Sequence, residues 1–332
     1  MKDTLEPKED TLEPKKIYIG VVGLGLLGSS IAVALLISGH PVIAIAPLAE
    51  DIEFGSSRIK EQLLACNNCG LLFKSIESYL LQLTITEEYS QLKDCCFVLE
   101  CVTEVLEIKK SVYKKISAST DDDCVIATNT SAIPISILQQ YVPYPERFMG
   151  VHWAEPAYMT RFLEITCGNK TSLQKAEWVY LLASCWNKEP TILKKDIRGF
   201  VTNRLMYATY REALQLIDNK EATVEDTDKA FHYDAGSWMT LMGIFRRMDF
   251  MGLEDFNEYF KNIFPRLSNN DQVPKIMQKM VSQKARGTKS SNGLYNYTKD
   301  EAKNWEESFA LFNKDIYELA AMYPSDIVEE KR

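Results

Sequence analysis

The stretch KIYIGVVGLGLLGSSIAVALLISG, residues 16–39, constrains the fold of this chain more than any other feature. Its first half reads as a short buried strand. Its second half reads as a helix closed by Gly39, and Gly23, Gly25 and Gly28 form G-x-G-x-x-G at the junction. A second apolar run, HPVIAIA, follows and reads as another buried strand. Glycines between a strand and a helix, with a second strand shortly after, mark a dinucleotide-binding βαβ unit. Gly23 permits the tight turn, Gly25 lets the backbone approach a pyrophosphate, and Gly28 allows close helix–strand packing. Leu26 and Leu27 fill the two positions between the last glycines and are assigned to cofactor contact with them. The helix start offers N–H donors and the positive end of its dipole to phosphate. The same stretch is apolar enough to resemble a short membrane span, but its spaced glycines and strand-like start argue against one.

Strand-like and helix-like runs continue to alternate. A helix is expected from about Glu50 to Cys66, then a helical hairpin, then a strand in QLKDCCFVLECV. EVLEIKKSVYKKISAST is an amphipathic helix, CVIATNTS a strand running into a polar turn, and RFMGVHW, RFLEITCG and EPTILKK further strands. This alternation predicts an α/β fold, a Rossmann-type doubly wound and mainly parallel sheet. From about residue 196 the signals become helical. The expected organisation is a disordered tail over 1–15, an NAD(P)-binding domain over 16–195 and an all-helical C-terminal domain over 196–332. The tail carries DTLEPK twice and has no apolar signal-peptide core, which points to the cytoplasm. Eight cysteines read as reduced thiols, and the lone C-x-x-C at Cys66 and Cys69 lacks partners for zinc, so no metal is expected. A net charge of −8 argues against a general nucleic-acid binder.

Of the three histidines, His152 has the setting of an acid/base group. It ends a strand-like run, and Glu164 lies twelve residues later on the next strand. A hairpin of that length can return the carboxylate to the imidazole, which fits the ring for proton transfer near neutral pH. His40, in a turn, and His232, at a helix end, have no such partner. The second strand ends at Ala46, where an acidic residue for the adenosine ribose is expected; Glu50 and Asp51 come late, and the nearest arginine is Arg58. The cofactor is therefore read as NAD, with NADP open.

The motifs VVGLGLLGSSIA, LECVTEVLEIKK, ATNTSAIPI, RFMGVHWAEP…FLEI, GFVTNRLMYATYREAL, DFMGL and GLYNY occur in order. Together they resemble the 3-hydroxyacyl-CoA dehydrogenase family from about residue 16 to 297. The resemblance implies that His152 is the catalytic acid/base and Glu164 its orienting partner. It implies that Ser131 hydrogen-bonds the substrate oxygen and that Asn203 lies beside the substrate. Glu104, Lys109, Asn129 and Glu155 match positions near the nicotinamide and its ribose, and Lys289 a C-terminal cofactor contact. It also implies a small-molecule acyl thioester substrate, no membrane, and a homodimer formed by the helical domain. Several positions depart from the family. Glu155 replaces an Asn and is expected to raise the pKa of His152. Arg198 replaces a Pro, and Arg246 and Arg247 stand where Gly-Pro and an acidic residue are usual. The Ser and Lys that hold CoA in some relatives have no match in EQLLACNNCG. A carrier-bound acyl group, a free 3-hydroxy acid of carnitine or gulonate type, and a non-catalytic dinucleotide-binding protein remain as alternatives.

Overall fold

The computed structural model describes residues 13–48 and 50–322. Eight strands form one sheet: β1 Ile19–Val22, β2 Val42–Ile45, β3 Leu83–Thr86, β4 Phe97–Glu100, β5 Val125–Thr128, β6 Phe148–Trp153, β7 Phe162–Cys167 and β8 Glu189–Leu193. Their order is β3-β2-β1-β4-β5-β6-β7-β8. Every neighbouring pair is parallel except β6 and β7, which are antiparallel. All residues of β1, β4 and β5 are buried, as the largely apolar central strands of a sheet covered on both faces are. Around the sheet lie α1 Leu26–Ile37, α2 Glu50–Asn68, α3 Ile76–Leu80, α4 Leu106–Ser119, α5 Ile135–Leu138 and α6 Leu173–Ser184. The doubly wound, mainly parallel sheet matches the expectation from sequence.

Two expectations need correction. The segment after α2 is not a helical hairpin: α3 is one short helix, and LTIT then pairs with β2 as the edge strand β3. Four half-exposed residues carry too little periodicity to announce a strand. The edge forms because the second strand offers unpaired backbone groups, as in the Val42 N–H donation to the Gln82 carbonyl at 2.9 Å. The expected disordered tail overruns the ordered chain, since Pro14–Lys16 form a 3-10 turn; residues 1–12 lie outside the described residues. Ile17, near the first described residues, is tied down by His40. Trp186 Nε1 donates to His40 Nε2 at 2.9 Å, so the other ring nitrogen carries the proton and donates to the Ile17 carbonyl at 3.0 Å.

The chain divides into two compact units between Phe200 and Val201. The second is helical: the rest of α7 Phe200–Asp218, then α8 Val224–Ala230, α9 Gly236–Met239, α10 Ile244–Met251, α11 Leu253–Ile263, α12 Lys275–Ser282 and α13 Lys299–Met322. Polar caps fix its connections. Asp218, ending α7, accepts the backbone N–H groups of Lys275 and Ile276 at 2.7 and 2.9 Å, which anchors the start of α12. Among the described residues after Phe200, none is buried. No described helix is long and apolar enough to cross a membrane.

Candidate active site

The residues singled out from sequence in the first unit gather at the carboxyl ends of the parallel strands, where open α/β sheets bind ligands. After β1 the chain turns through Gly23, whose φ of +99° suits glycine. A Cβ on Gly28 would stand 1.9 Å from the Gly23 carbonyl oxygen, so only hydrogen fits there. A Cβ on Gly25, the N-cap of α1, would meet nothing within 4 Å. The turn is thus closed against the protein at Gly23 and Gly28 and open at Gly25, the fit a pyrophosphate requires. Leu26, on the first turn of α1, is exposed. Helix α2 braces the turn: Arg58 Nη1 donates to the Leu24 carbonyl at 2.7 Å. Ala46 is fully buried in the core, so the second strand's end offers no side chain to a ribose.

Glu100 ends β4 and is fully buried. Its carboxylate accepts from Lys109 Nζ at 2.7 and 2.9 Å, Tyr113 Oη at 2.8 Å, Thr128 Oγ1 at 2.8 Å and the Val102 N–H at 2.7 Å. Burying a carboxylate without such donors is costly. Lys109 also lies 3.3 Å from Glu104, whose other oxygen accepts from Thr130 Oγ1. Lys109 is therefore a buried tie between two carboxylates, with Glu104, half-exposed, at the mouth of the site. Asn129 follows β5 and accepts the Trp153 N–H through Oδ1 at 2.9 Å, fixing β5 to β6 beside His152. Ser131 lies exposed two residues further on.

His152 and Glu164 are direct partners across the antiparallel β6–β7 ladder, so their side chains leave the same face of the sheet. Glu164 is buried. The His152 ring packs against Phe162 and Phe200, with centroids 5.6 and 5.8 Å away. Phe200 reaches it from a left-handed backbone, φ +51°, directly after Gly199 at +82°. Burial pushes the imidazole below its ordinary 6.5, against the upward pull of Glu164 and Glu104. Burial wins, so the ring is neutral at pH 7. Its Nδ1 is buried with no hydrogen-bond partner among the described residues. The expected influence of Glu155 on this ring is corrected: the carboxylates acting on it are Glu164 and Glu104. Glu155 instead turns to Ser30 on α1, and loss of solvent lifts its carboxyl to about 7.

Sequence reasoning missed Glu100, Thr130, Phe200 and Lys188. A glutamate closing the apolar run FVLE was the available signal for Glu100. Lys188 is buried, donates to the carbonyls of Ala157 and Thr160, and lies 5.0 Å over the Trp153 ring. Burial, with Arg161 nearby, lowers its pKa to about 7. It holds the loop after His152, which Ser30 grips from the other side by accepting the Ala157 N–H at 2.8 Å. Asn203 and Lys289 belong to the second unit, on α7 and in the turn bridged by Gly287 and Asn292.

A dinucleotide turn, a half-buried histidine paired in register with a buried glutamate, and a separate helical unit define the class, an NAD-dependent oxidoreductase. Residues 18–197 match the NAD-binding domain of 3-hydroxyacyl-CoA dehydrogenase, and residues 199–297 match its C-terminal domain. The chain belongs to the 3-hydroxyacyl-CoA dehydrogenase family. It is 30% identical over 287 residues to a 5-formyl-3-hydroxy-2-methylpyridine 4-carboxylate 5-dehydrogenase of Mesorhizobium japonicum, covering 86% of this chain and 92% of the relative. It is 30% identical over 319 residues to an L-carnitine dehydrogenase of Staphylococcus epidermidis, covering 92% and 95%. A crystal structure of the pyridine carboxylate enzyme, described as an NAD+-dependent dismutase, superposes with a TM-score of 0.84 at 28% identity, over 91% of this chain and 97% of that one.

Proposed function

We propose that the chain is an NAD-dependent dehydrogenase that interconverts a 3-hydroxyacyl and a 3-oxoacyl group, presented as a thioester. The observation that carries this reading is the pairing of His152 with Glu164 at the carboxyl end of the sheet. The nicotinamide, when bound, supplies the hydride acceptor. His152 is neutral at pH 7 and takes the hydroxyl proton; Glu164 stabilises the imidazolium that results. Ser131 is assigned to hydrogen-bond the substrate oxygen, and Asn203 to donate to developing oxyanion charge. Gly23, Gly25, Leu26, Leu27 and Gly28 are assigned to the pyrophosphate. Glu104, with Lys109 and Thr130 behind it, Asn129 and Glu155 are assigned to the nicotinamide end, and Lys289 to the cofactor from the second unit. We also infer a homodimer, formed by the helical unit, acting in the cytoplasm.

A second reading has its own support. The two relatives at 30% identity are named for a pyridine carboxylate and for carnitine. A small free acid is then the substrate, and its carboxylate pairs with an arginine such as Arg246 or Arg247. One assay separates the readings: acetoacetyl-CoA and free 3-oxo acids are each mixed with NADH or NADPH, and loss of absorbance is followed. Thioester turnover supports the first reading. Turnover of free acids alone supports the second. The absence of NADH and NADPH binding would sink both.

A further inference from the structure

The helical unit holds a cavity of its own, about 690 Å³ in volume, lined only by residues between 225 and 305. This is the size range of small-molecule sites. Phe231, Tyr233, Tyr295 and Trp305 line it and are all exposed. Phe231 and Tyr233 sit on a five-residue π-helical turn, Phe231–Ala235, a distortion that recurs at functional sites. Trp305 comes from α13, beyond the residues that match the family's C-terminal domain.

Three carboxylates share the lining with one ammonium and the His232 imidazole, which stacks on Tyr233 at 4.6 Å between centroids. Lys229 lies 2.7 Å from Glu225, so those charges cancel. Asp228 accepts from Tyr295 Oη at 2.7 Å, and Glu301 accepts from Thr298 N and Oγ1 at 2.7 and 2.9 Å. Neither Asp228 nor Glu301 meets a cation among the described residues. The cavity therefore combines aromatic faces, which attract positive charge through their quadrupoles, with two uncompensated carboxylates. An anion is repelled by that lining. A neutral apolar occupant, or the same face of a second copy, leaves the carboxylates desolvated without a counter-charge. A metal ion lacks ligands, since no group of three His, Cys, Asp or Glu side chains among the described residues is placed to hold one.

We propose that this cavity binds an organic cation of the quaternary or protonated ammonium class. The proposal stands apart from the dehydrogenase reading, because none of its residues is assigned a role in the reaction. The test titrates the full-length protein with choline and with its neutral isostere, 3,3-dimethylbutan-1-ol, following tryptophan fluorescence and heat. Choline is expected to bind saturably, and the isostere about tenfold more weakly, the loss of a desolvated cation–π and charge contribution. Trp305→Leu and the double variant Asp228→Asn/Glu301→Gln are each expected to weaken choline at least about fivefold, with the circular dichroism spectrum unchanged. Trp305→Phe keeps an aromatic face and is expected to retain binding, which guards against misreading a misfolded variant. Equal binding of the two probes, no saturable binding of choline, or binding indifferent to these substitutions overturns the proposal.

Discussion

Every residue of β1, β4 and β5 is buried, whereas no described residue after Phe200 is. The sheet unit completes its own core, down to a buried ion pair between Glu100 and Lys109. The helical unit leaves large apolar side chains in water, among them Phe245 at 81% and Phe250 at 75% exposure. Ordinary monomers do not display so much apolar surface. On the proposed function, the first unit holds the geometry for chemistry, and the second offers surface for the inferred association and binding.

Substituting His152→Ala tests whether chemistry resides in the sheet unit. It is expected to lower kcat/KM by about a thousandfold, the range of positioned acid–base catalysis, while NADH fluorescence titration shows unchanged binding. Lost NADH binding instead makes the histidine structural. Glu100→Gln leaves the buried Lys109 ammonium with only the half-exposed Glu104, 3.3 Å away, as counter-charge, and is expected to destabilise by about 3 kcal/mol in denaturant unfolding. The matching change in the helical unit, Glu225→Gln, breaks a pair exposed to water and is expected to leave the unfolding midpoint unmoved. Equal effects of the two substitutions would erase the contrast. Gly28→Ala drives a methyl into the Gly23 carbonyl. The expected cost is about 1–3 kcal/mol of stability, with NADH binding weakened.

Three smaller effects concern pH and concentration. In the proposed oxidation the active form of His152 is the neutral one, and burial sets its pKa below 6.5. Oxidative kcat/KM is therefore expected to fall as pH drops through that pKa and to level off above it. A rate that keeps falling from pH 8 to 7 contradicts a lowered value. Lys188 runs in the same direction for stability: its folded pKa, about 7, lies below the unfolded value. The unfolded chain then binds the extra proton between those two values, so stability declines as pH falls from above 10 towards 7. Lys188→Met is expected to flatten that slope. The smallest effect is in the helical unit. If its exposed apolar faces form a dimer, a tenfold dilution lowers its melting temperature by a few degrees and leaves the sheet unit's unchanged. Concentration-independent melting of both units, with a monomer in sedimentation, removes the dimer.

The parts of the fold legible in the sequence are those with long or repeated signals. Residues 16–46 revealed strand, turn, helix and strand because glycine and an unbroken apolar run leave few conformations open. β3 was misread because an edge strand of four residues takes its identity from the partner it pairs with. Among candidate site residues, the pairing of His152 with Glu164 was read from residue type and spacing, and the roles proposed for them from the family resemblance. Lys109 was placed near the nicotinamide, and its burial between Glu100 and Glu104 was not foreseen, because an amphipathic helix does not reveal which lysine faces the core.

Local chemistry in the sequence determined the dinucleotide turn, the alternation that builds a doubly wound sheet, and the candidate proton-transfer pair. Only tertiary structure decided their electrostatics. The pKa of His152 depends on how deeply Phe162 and Phe200 bury the ring, and Phe200 lies nearly fifty residues away in sequence. Ala46, read as a missing ribose contact, proved to be a core residue. Glu155, expected to act on His152, faces Ser30. Burial and through-space charge depend on which chain segments meet, and a linear pattern of residue types does not contain that.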